Sequence, residues 1–253
     1  MFVQELEQER PAEHRYHVAF AHTAEEILEA QRLRYSVFAG ELGARLNSEC
    51  GVDEDVFDPF CKHLIVRDGS TGEVVGTYRI LSPEAAAEVG WSYAEQEFDL
   101  SRLAHLRRSI VEVGRSCIHP AYRNGAVIAL LWSGLAHYML YNRYDYLVGC
   151  ASMGMADGGI AAWATYQKVS RTSLAPVEYR AFPHTPLPFR DVAGCADTRV
   201  PPLLKGYLRL GAYVCGEPAW DPDFNTADLL VFLPLARIDQ RYARHFFGKP
   251  VSF

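Results

Sequence analysis

The sequence predicts an α/β domain with a mixed central sheet flanked by helices, and three observations carry that reading. Ile110, Val111 and Val113 alternate with Glu112, Gly114 and Arg115, the pattern of a strand with polar groups projecting from it. His119-Pro120 ends the strand, because proline has no N–H to give to a ladder. A polar loop from Ala121 to Gly125 follows, and Val127, Leu130, Leu131, Leu135 and Tyr138 then recur on one helical face. Beyond this helix, Tyr146 to Ala151 is the short continuous apolar run of a buried strand. Strand, basic glycine-bearing loop and helix together offer free N–H groups and a positive dipole end to a phosphate.

The remaining elements follow in order. Residues 1–15 are acidic and polar, and read as a mobile lead-in to one domain over 16–253. Tyr16 to Ala21 alternates as a strand. Thr23 with Glu26 forms a capping box, so a helix starts there, with an expected apolar face of Ile27, Leu28, Tyr35, Phe38 and Leu42 and a stop at Gly43. His63–Arg67 and Val74–Leu81 flank Gly69 and Gly72 as a strand pair. Glu84–Glu88 suits a helical turn, and Phe98-Asp99-Leu100 opens a segment holding Arg102, Arg107 and Arg108. Gly159–Val169 suits another helix. Prolines 176, 183, 186, 188, 201 and 202 mark an extended connection in which apolar residues persist. A C-terminal extension, about 195–253, supplies a helical turn, one or two strands and a basic amphipathic end from Arg237 to Lys249.

Composition removes several function classes. The chain has 253 residues, 49% of them hydrophobic, enough to bury a large core. A net charge of −6 argues against a general nucleic-acid binder. Six cysteines form no CxxC pair and no zinc-like cluster, so no metal site is expected. There is no signal-peptide pattern at the N-terminus and no apolar run near the ~20 residues of a membrane span, which predicts a cytoplasmic protein. Neither GxxxxGK[ST] nor GxGxxG is present, so a nucleoside triphosphate or dinucleotide is not the first choice and the loop suits a pyrophosphate or phosphopantetheine arm.

The loop Arg123-Asn124-Gly125-Ala126-Val127-Ile128 resembles the R/Q-x-x-G-x-G/A motif of the GNAT N-acyltransferase superfamily, with its glycine arriving early. Within that group, Arg34 before Val37-Phe38, Asp55 and Asp58, Arg79 in GTYRIL, and Glu112 and Arg115 in VEVGRS resemble the framework of acyl-homoserine lactone synthases. The longer strings FDPFCKHLIVRD, RSCIHPAYRNGAVIALLW and GYLRLGAYVCGEPAWDPDFNTADLLVFLP resemble the ornithine N-acyltransferases of ornithine-lipid synthesis more closely, over about residues 27–247.

That resemblance implies the GNAT fold, its mixed sheet splayed at the thioester site between the strands of Val111–Cys117 and Tyr146–Ala151. It also implies direct transfer of a 3-hydroxyacyl group from acyl carrier protein, or from acyl-CoA, to the α-amine of ornithine. No permanently bound cofactor and no covalent acyl-enzyme are expected. Acyl carrier protein is the expected partner, and a lipid product leaves room for a peripheral membrane contact at its release. Arg123, Asn124, Gly125, Ala126 and Val127 are the expected carrier-binding residues. A lactone synthase, another N-acyl amino-acid synthase and a non-catalytic acyl-carrier sensor are the alternatives.

The chemistry asks for particular groups. An ammonium must lose a proton before it attacks a thioester, and Glu112 is the expected base; its plainer role would be to pair with Arg115 or Arg79. Backbone N–H groups near Ser116, Cys117 and Ile118 would meet the oxyanion, while the Cys117 thiol is expected to be a buried apolar group. Asp55 and Asp58, with Arg34, Phe38, Arg79 and Arg115, are the expected substrate contacts, and the plainer role of Arg34 and Arg79 is to neutralise those acids. Asp53 and Glu54 suit a solvated acidic loop. His63 and Asp68 match the HxxxxD pattern of glycerolipid O-acyltransferases, but an apolar strand puts them on opposite faces, so no ester-forming activity is expected.

Overall fold

The structure is a computed structural model that describes residues 15–46, 48, 50–188 and 198–238. Most of the expected lead-in, Cys195 and the basic end beyond residue 238 lie outside the described residues.

In chain order the elements are β1 (Tyr16–Phe20), α1 (Ala24–Tyr35), β2 (Lys62–Asp68), β3 (Val74–Leu81), α2 (Pro83–Val89), β4 (Phe98–Asp99), β5 (Ile110–Ile118), α3 (Ala126–Asn142), β6 (Tyr146–Gly154), α4 (Ile160–Ser173), β7 (Phe182–Pro183), α5 (Pro202–Leu210), β8 (Tyr213–Val214), β9 (Ala219–Asp221) and β10 (Thr226–Pro234). The main sheet runs β1-β2-β3-β5-β6-β10-β8, with β9 also on β10. Its β5–β6 pair is parallel and its other pairs are antiparallel. β4 and β7 pair separately. The C-terminal extension contributes three strands where one or two were expected.

Local chemistry explains the boundaries. Thr23 accepts from the Glu26 amide while Glu26 accepts from the Thr23 amide, closing the capping box that starts α1. A π-helical turn, Ser36–Glu41, continues α1 to Gly43, whose φ of 75° suits glycine. Gly125, at φ 94°, lets the chain turn abruptly from the loop into α3.

One expectation fails. The buried residues of α1 and its extension are Ala30, Gln31, Leu33, Arg34 and Val37, whereas Leu42 is 63% exposed. Apolar spacing alone could not find this face, because it includes an arginine that is buried only by virtue of its acidic partners.

The sheet separates two chemistries. Cross-strand partners share a face, so His63, Arg79 and Gly114 align, as do Glu112 with Val148, Cys150 with Leu230, and Ser152 with Asp228. The opposite face carries Leu64, Val66, Tyr78, Ile80, Val113, Leu147 and Val231 into the main core, shared with Val127, Leu131 and Leu135 of α3 and with Leu204 and Tyr207 of α5. This apolar face is where α3 docks, and the polar face is where the candidate site forms.

Candidate active site

The site begins at the gap between β5 and β6. These strands pair only at Ile110–Tyr146, Val111–Leu147 and Glu112–Val148, after which β6 keeps its ladder to β10 alone. Gly149 stands at the last close approach, where a Cβ would collide with the Val113 carbonyl oxygen. On the other side, β5 bulges: the register on β3 slips between Thr77–Cys117 and Arg79–Gly114, and Arg115 takes φ 51°. The His119 amide donates to Val75 O, so the alternation of an antiparallel ladder aims the Cys117 amide at β3 as well. The Ser116 and Ile118 amides therefore face the gap. Of Ser116, Cys117 and Ile118, the first and last thus present amides to the gap and Cys117 presents its amide to β3.

A cavity of about 240 Å³ crosses the sheet here. On the polar face it is lined by Arg79, Tyr93, Glu112, Arg115, Ser152 and Asp228, and on the apolar face by Tyr78, Val113, Leu147, Leu203, Tyr207 and Val231. The Tyr78 and Tyr207 hydroxyls are hydrogen-bonded to each other at that inner end.

The acidic segment after α1 is wired to three arginines. Arg34, fully buried, donates to Asp53 Oδ2 at 2.7 Å and Asp58 Oδ1 at 2.7 Å, and to the Asp53 carbonyl. Arg79 donates to Asp55 Oδ1 at 2.6 Å and Asp58 Oδ2 at 2.9 Å. Arg115 donates to Asp55 Oδ2 at 3.1 Å, lies 3.2 Å from Asp53 Oδ2, and stacks between the Tyr93 and Phe224 rings. Burial pushes the Asp58 carboxyl up, but Arg34 and Arg79 outweigh it and hold it down at about 2. Burial, aided by Arg34 and Arg79 against the opposing pull of Asp58, lowers the His63 imidazole and favours its neutral form.

This arrangement corrects the solvated reading of Asp53, which is buried in the network; Glu54 is exposed as expected. Arg34 and Arg79 neutralise the acids, and Asp58 is consumed by them. Asp55, half-buried, is held by Arg79 and Arg115, and of these expected contacts Arg79, Arg115 and Phe38 line the cavity, Phe38 packing edge-on against Phe224 at 5.8 Å.

Glu112 lies in the cavity wall but pairs with neither Arg115 nor Arg79 through a hydrogen bond. Its Oε2 accepts from the Tyr93 amide and Oε1 from the Ala94 amide, both at 2.7 Å. The carboxylate thus anchors the 3-10 turn Tyr93–Gln96, and burial raises its pKa against the pull of those amides. Cys117 packs with Leu33 and Val37, and burial pushes its thiol up to about 12, as suits a structural cysteine. His63 joins the arginine network while Asp68 accepts from Ser70 in the β2–β3 turn, so the HxxxxD pair does not converge.

At the start of α3, Asn124 Oδ1 caps the Ala126 amide at 3.0 Å, and the first helical bond runs from Ala129 N to Gly125 O. The amides of Val127 and Ile128 precede that bond and remain outside the helical ladder. Arg123 is exposed and held bidentate by Glu41, with both contacts at 2.6 Å. The loop has the expected shape, but its arginine already has an acidic partner.

Sequence reasoning missed a second acidic group. Asp228, Glu97 and Cys150 bring ligand atoms within 4.8 Å of one another beside the cavity. Asp228 was findable, because it is a single acid between Ala227 and Leu229, directly before the apolar run LLVFLP. Glu97 had no signal, since it sits in a polar turn.

Residues 33–133 match the acetyltransferase (GNAT) domain family. The solved structure of the acyl-homoserine lactone synthase LasI superposes with a TM-score of 0.55 at 14% identity, over 94% of this chain and 98% of that one. A CoA-dependent acyl-homoserine lactone synthase, BjaI, solved with SAM and isopentyl-CoA, gives 0.56 at 17% identity, over 94% and 92%. At these identities the likeness concerns the fold. The L-ornithine N(alpha)-acyltransferase of Rhodobacter capsulatus is 35% identical, over 94% of this chain and 96% of its own length. The enzyme of the same name from Agrobacterium fabrum is also 35% identical, over 90% and 84%. With a GNAT fold and relatives this similar along nearly the whole chain, the protein is an N-acyltransferase and belongs to the L-ornithine N(alpha)-acyltransferase family.

Proposed function

We propose that this chain moves a (3-hydroxy)fatty acyl group from acyl carrier protein to the α-amine of L-ornithine, giving lyso-ornithine lipid by direct transfer. The observation that carries this reading is the cavity crossing the sheet, polar on one face and apolar on the other. A thioester carbonyl in the β5–β6 gap has its acyl chain directed to the Tyr78, Leu147 and Val231 side and its acceptor approached from the Arg115 and Asp228 side. The Val127 and Ile128 amides at the N-terminus of α3 suit the phosphate of the pantetheine arm, and Arg123 joins them by leaving Glu41.

The acceptor nitrogen attacks the thioester carbon after Glu112 removes its proton. The Ser116 and Ile118 amides stabilise the oxyanion, and as the carbonyl re-forms and the carbon–sulfur bond breaks, the adduct nitrogen gives up its second proton, through water, to the departing thiolate. Cys117 takes no part. The family relatives' name points to ornithine, and the apolar inner end of the cavity suits a fatty acyl chain, whose donor in this reading is acyl carrier protein.

The test is a matrix of amino acids against 3-hydroxyacyl-carrier protein, 3-hydroxyacyl-CoA and acetyl-CoA, read as released thiol. Ornithine with the 3-hydroxyacyl carrier is expected to be the fastest pair and to yield the N-acyl product. Turnover with S-adenosylmethionine in place of ornithine would make the chain a lactone synthase. Donor binding without thiol release would make it a sensor.

A further inference from the structure

Two buried acidic groups lie near the cavity, and they differ in one respect. Asp53, Asp55 and Asp58 are bonded to Arg34, Arg79 and Arg115. Glu97 and Asp228 have no basic side chain within ion-pair distance among the described residues. Asp228 is 3% exposed, lines the cavity and leaves Oδ1 without a hydrogen-bond partner. Glu97 is 9% exposed, and neither of its carboxylate oxygens has one. Asp221, on β9 beside them, is already occupied: Oδ1 accepts from the Asp223 and Phe224 amides and Oδ2 from the Tyr93 hydroxyl.

Buried carboxyl oxygens that meet no partner are costly, and a donor-rich cation entering beside them favours the ionised form of both groups, leaving three acceptor atoms to be met. A primary ammonium carries three N–H donors and no acceptor, which matches the three orphan oxygens in number and sign. We infer that Asp228 and Glu97 form the subsite for the side-chain ammonium of the acceptor, making the enzyme selective for diamino acids. This rests on the proposed ornithine acylation and says where the second amine goes.

Placement supports it. Asp228 lies opposite Ser152 on the polar face, so an acceptor entering there presents its α-amine to the gap at Ser116 and extends its side chain toward β10. The same atoms, with Cys150 Sγ, are close enough to hold a metal ion. An ammonium fits them better. Burial and the Asp228 and Asp221 charges push Glu97 up to about 10, and burial first, then Glu97, drives the Cys150 thiol well above its ordinary value; an ammonium has only the Glu97 proton to displace, whereas a metal would have to displace both.

The test compares L-ornithine with L-norvaline, which keeps the chain and lacks the terminal nitrogen, using one acyl donor. Wild type is expected to favour ornithine by roughly 10²-fold or more in kcat/KM, the scale on which buried polar groups reject a partner that leaves them unpaired. Asp228→Asn and Glu97→Gln should each raise the ornithine KM at least about 10-fold with kcat largely kept and norvaline kinetics unchanged. If Asp228→Asn does not fold, Glu97→Gln, placed outside the main sheet, carries the same comparison.

Equal losses with both amines would overturn the inference and make Asp228 part of the chemistry. A preference abolished by a chelator and restored by zinc would overturn it in favour of a metal. Wild type that acylates neither amine would instead overturn the ornithine reading on which the inference rests.

Discussion

Glu112 shows how far a residue's role depends on its neighbours. An acid in the central strand was legible as a candidate base, but the two amides it braces come from a loop that no sequence pattern ties to it. We expect Glu112→Gln to lower kcat by ~10²–10⁴-fold and to remove the acidic limb of the pH–rate profile. It should also lower the melting temperature, because its NH₂ would face one of the two backbone N–H groups, at ~1–3 kcal/mol. A slower variant that keeps the acidic limb would reduce Glu112 to a brace for the Tyr93 turn.

The Asp58 network gives a second prediction at this scale. Asp58 ionises in the fold at about 2 against an ordinary 3.8, so its stabilisation is complete above about 3.8 and fades as pH falls toward 2. His63 is held below its ordinary 6.5, so its stabilisation is present above that value and fades below it. Melting temperature should therefore start to fall below about pH 6.5 and drop steeply below 4. Asp58→Asn should cost ~3–5 kcal/mol at neutral pH, since it leaves buried Arg34 short of a charge, and should flatten the steep limb. Glu97 has the opposite sign. Its raised pKa means stability is lost as pH climbs above the ordinary 4.5, so Glu97→Gln should melt higher than wild type at pH 8, by ~2–4 °C per kcal/mol. A lower melting point there would mean the proton is not held at Glu97.

At the scale of elements, the two strands, the loop and α3 were legible because period and punctuation agree there: alternating residues, Pro120, Gly125, then a stripe from Val127 to Tyr138. The face of α1 was not, since Arg34 enters the interior on the strength of partners about twenty and more residues away. The last close approach of β5 and β6 before the gap depends on one small residue in an unremarkable apolar run. Gly149→Ala would press a methyl group against the Val113 carbonyl and force β5 and β6 apart before the bulge. We expect it to cost ~1–3 kcal/mol and to slow transfer with every donor and amine alike. Unchanged kinetics would show that the gap tolerates widening and that Gly149 serves only the packing of β6.

For the whole molecule, the proposed acyl-carrier-protein donor raises the question of how a chain of net charge −6 would meet an acidic partner. The arginines before β5 looked interchangeable in the sequence, but the structure separates them. Arg102 donates to the Val177 carbonyl at 2.6 Å and lies over the Phe182 ring. Arg107 bonds to Glu95, whose other oxygen accepts from the Ser92 amide, and so it steadies the turn that Glu112 braces. Arg108 is exposed and lines a second cavity of about 360 Å³ between α2 and the 3-10 segment Ser101–Ser109, against Glu112. Steering by local charge is the physical route for docking against an unfavourable net field, and it is screened by salt. Arg108→Glu is therefore expected to raise KM for acyl carrier protein several-fold and weaken its salt dependence, while the acyl-CoA rate stays the same. Arg107→Gln should instead lower kcat with both donors, because it loosens the turn behind Glu112. Equal losses with both donors for Arg108→Glu would place the carrier's docking surface away from the 3-10 segment.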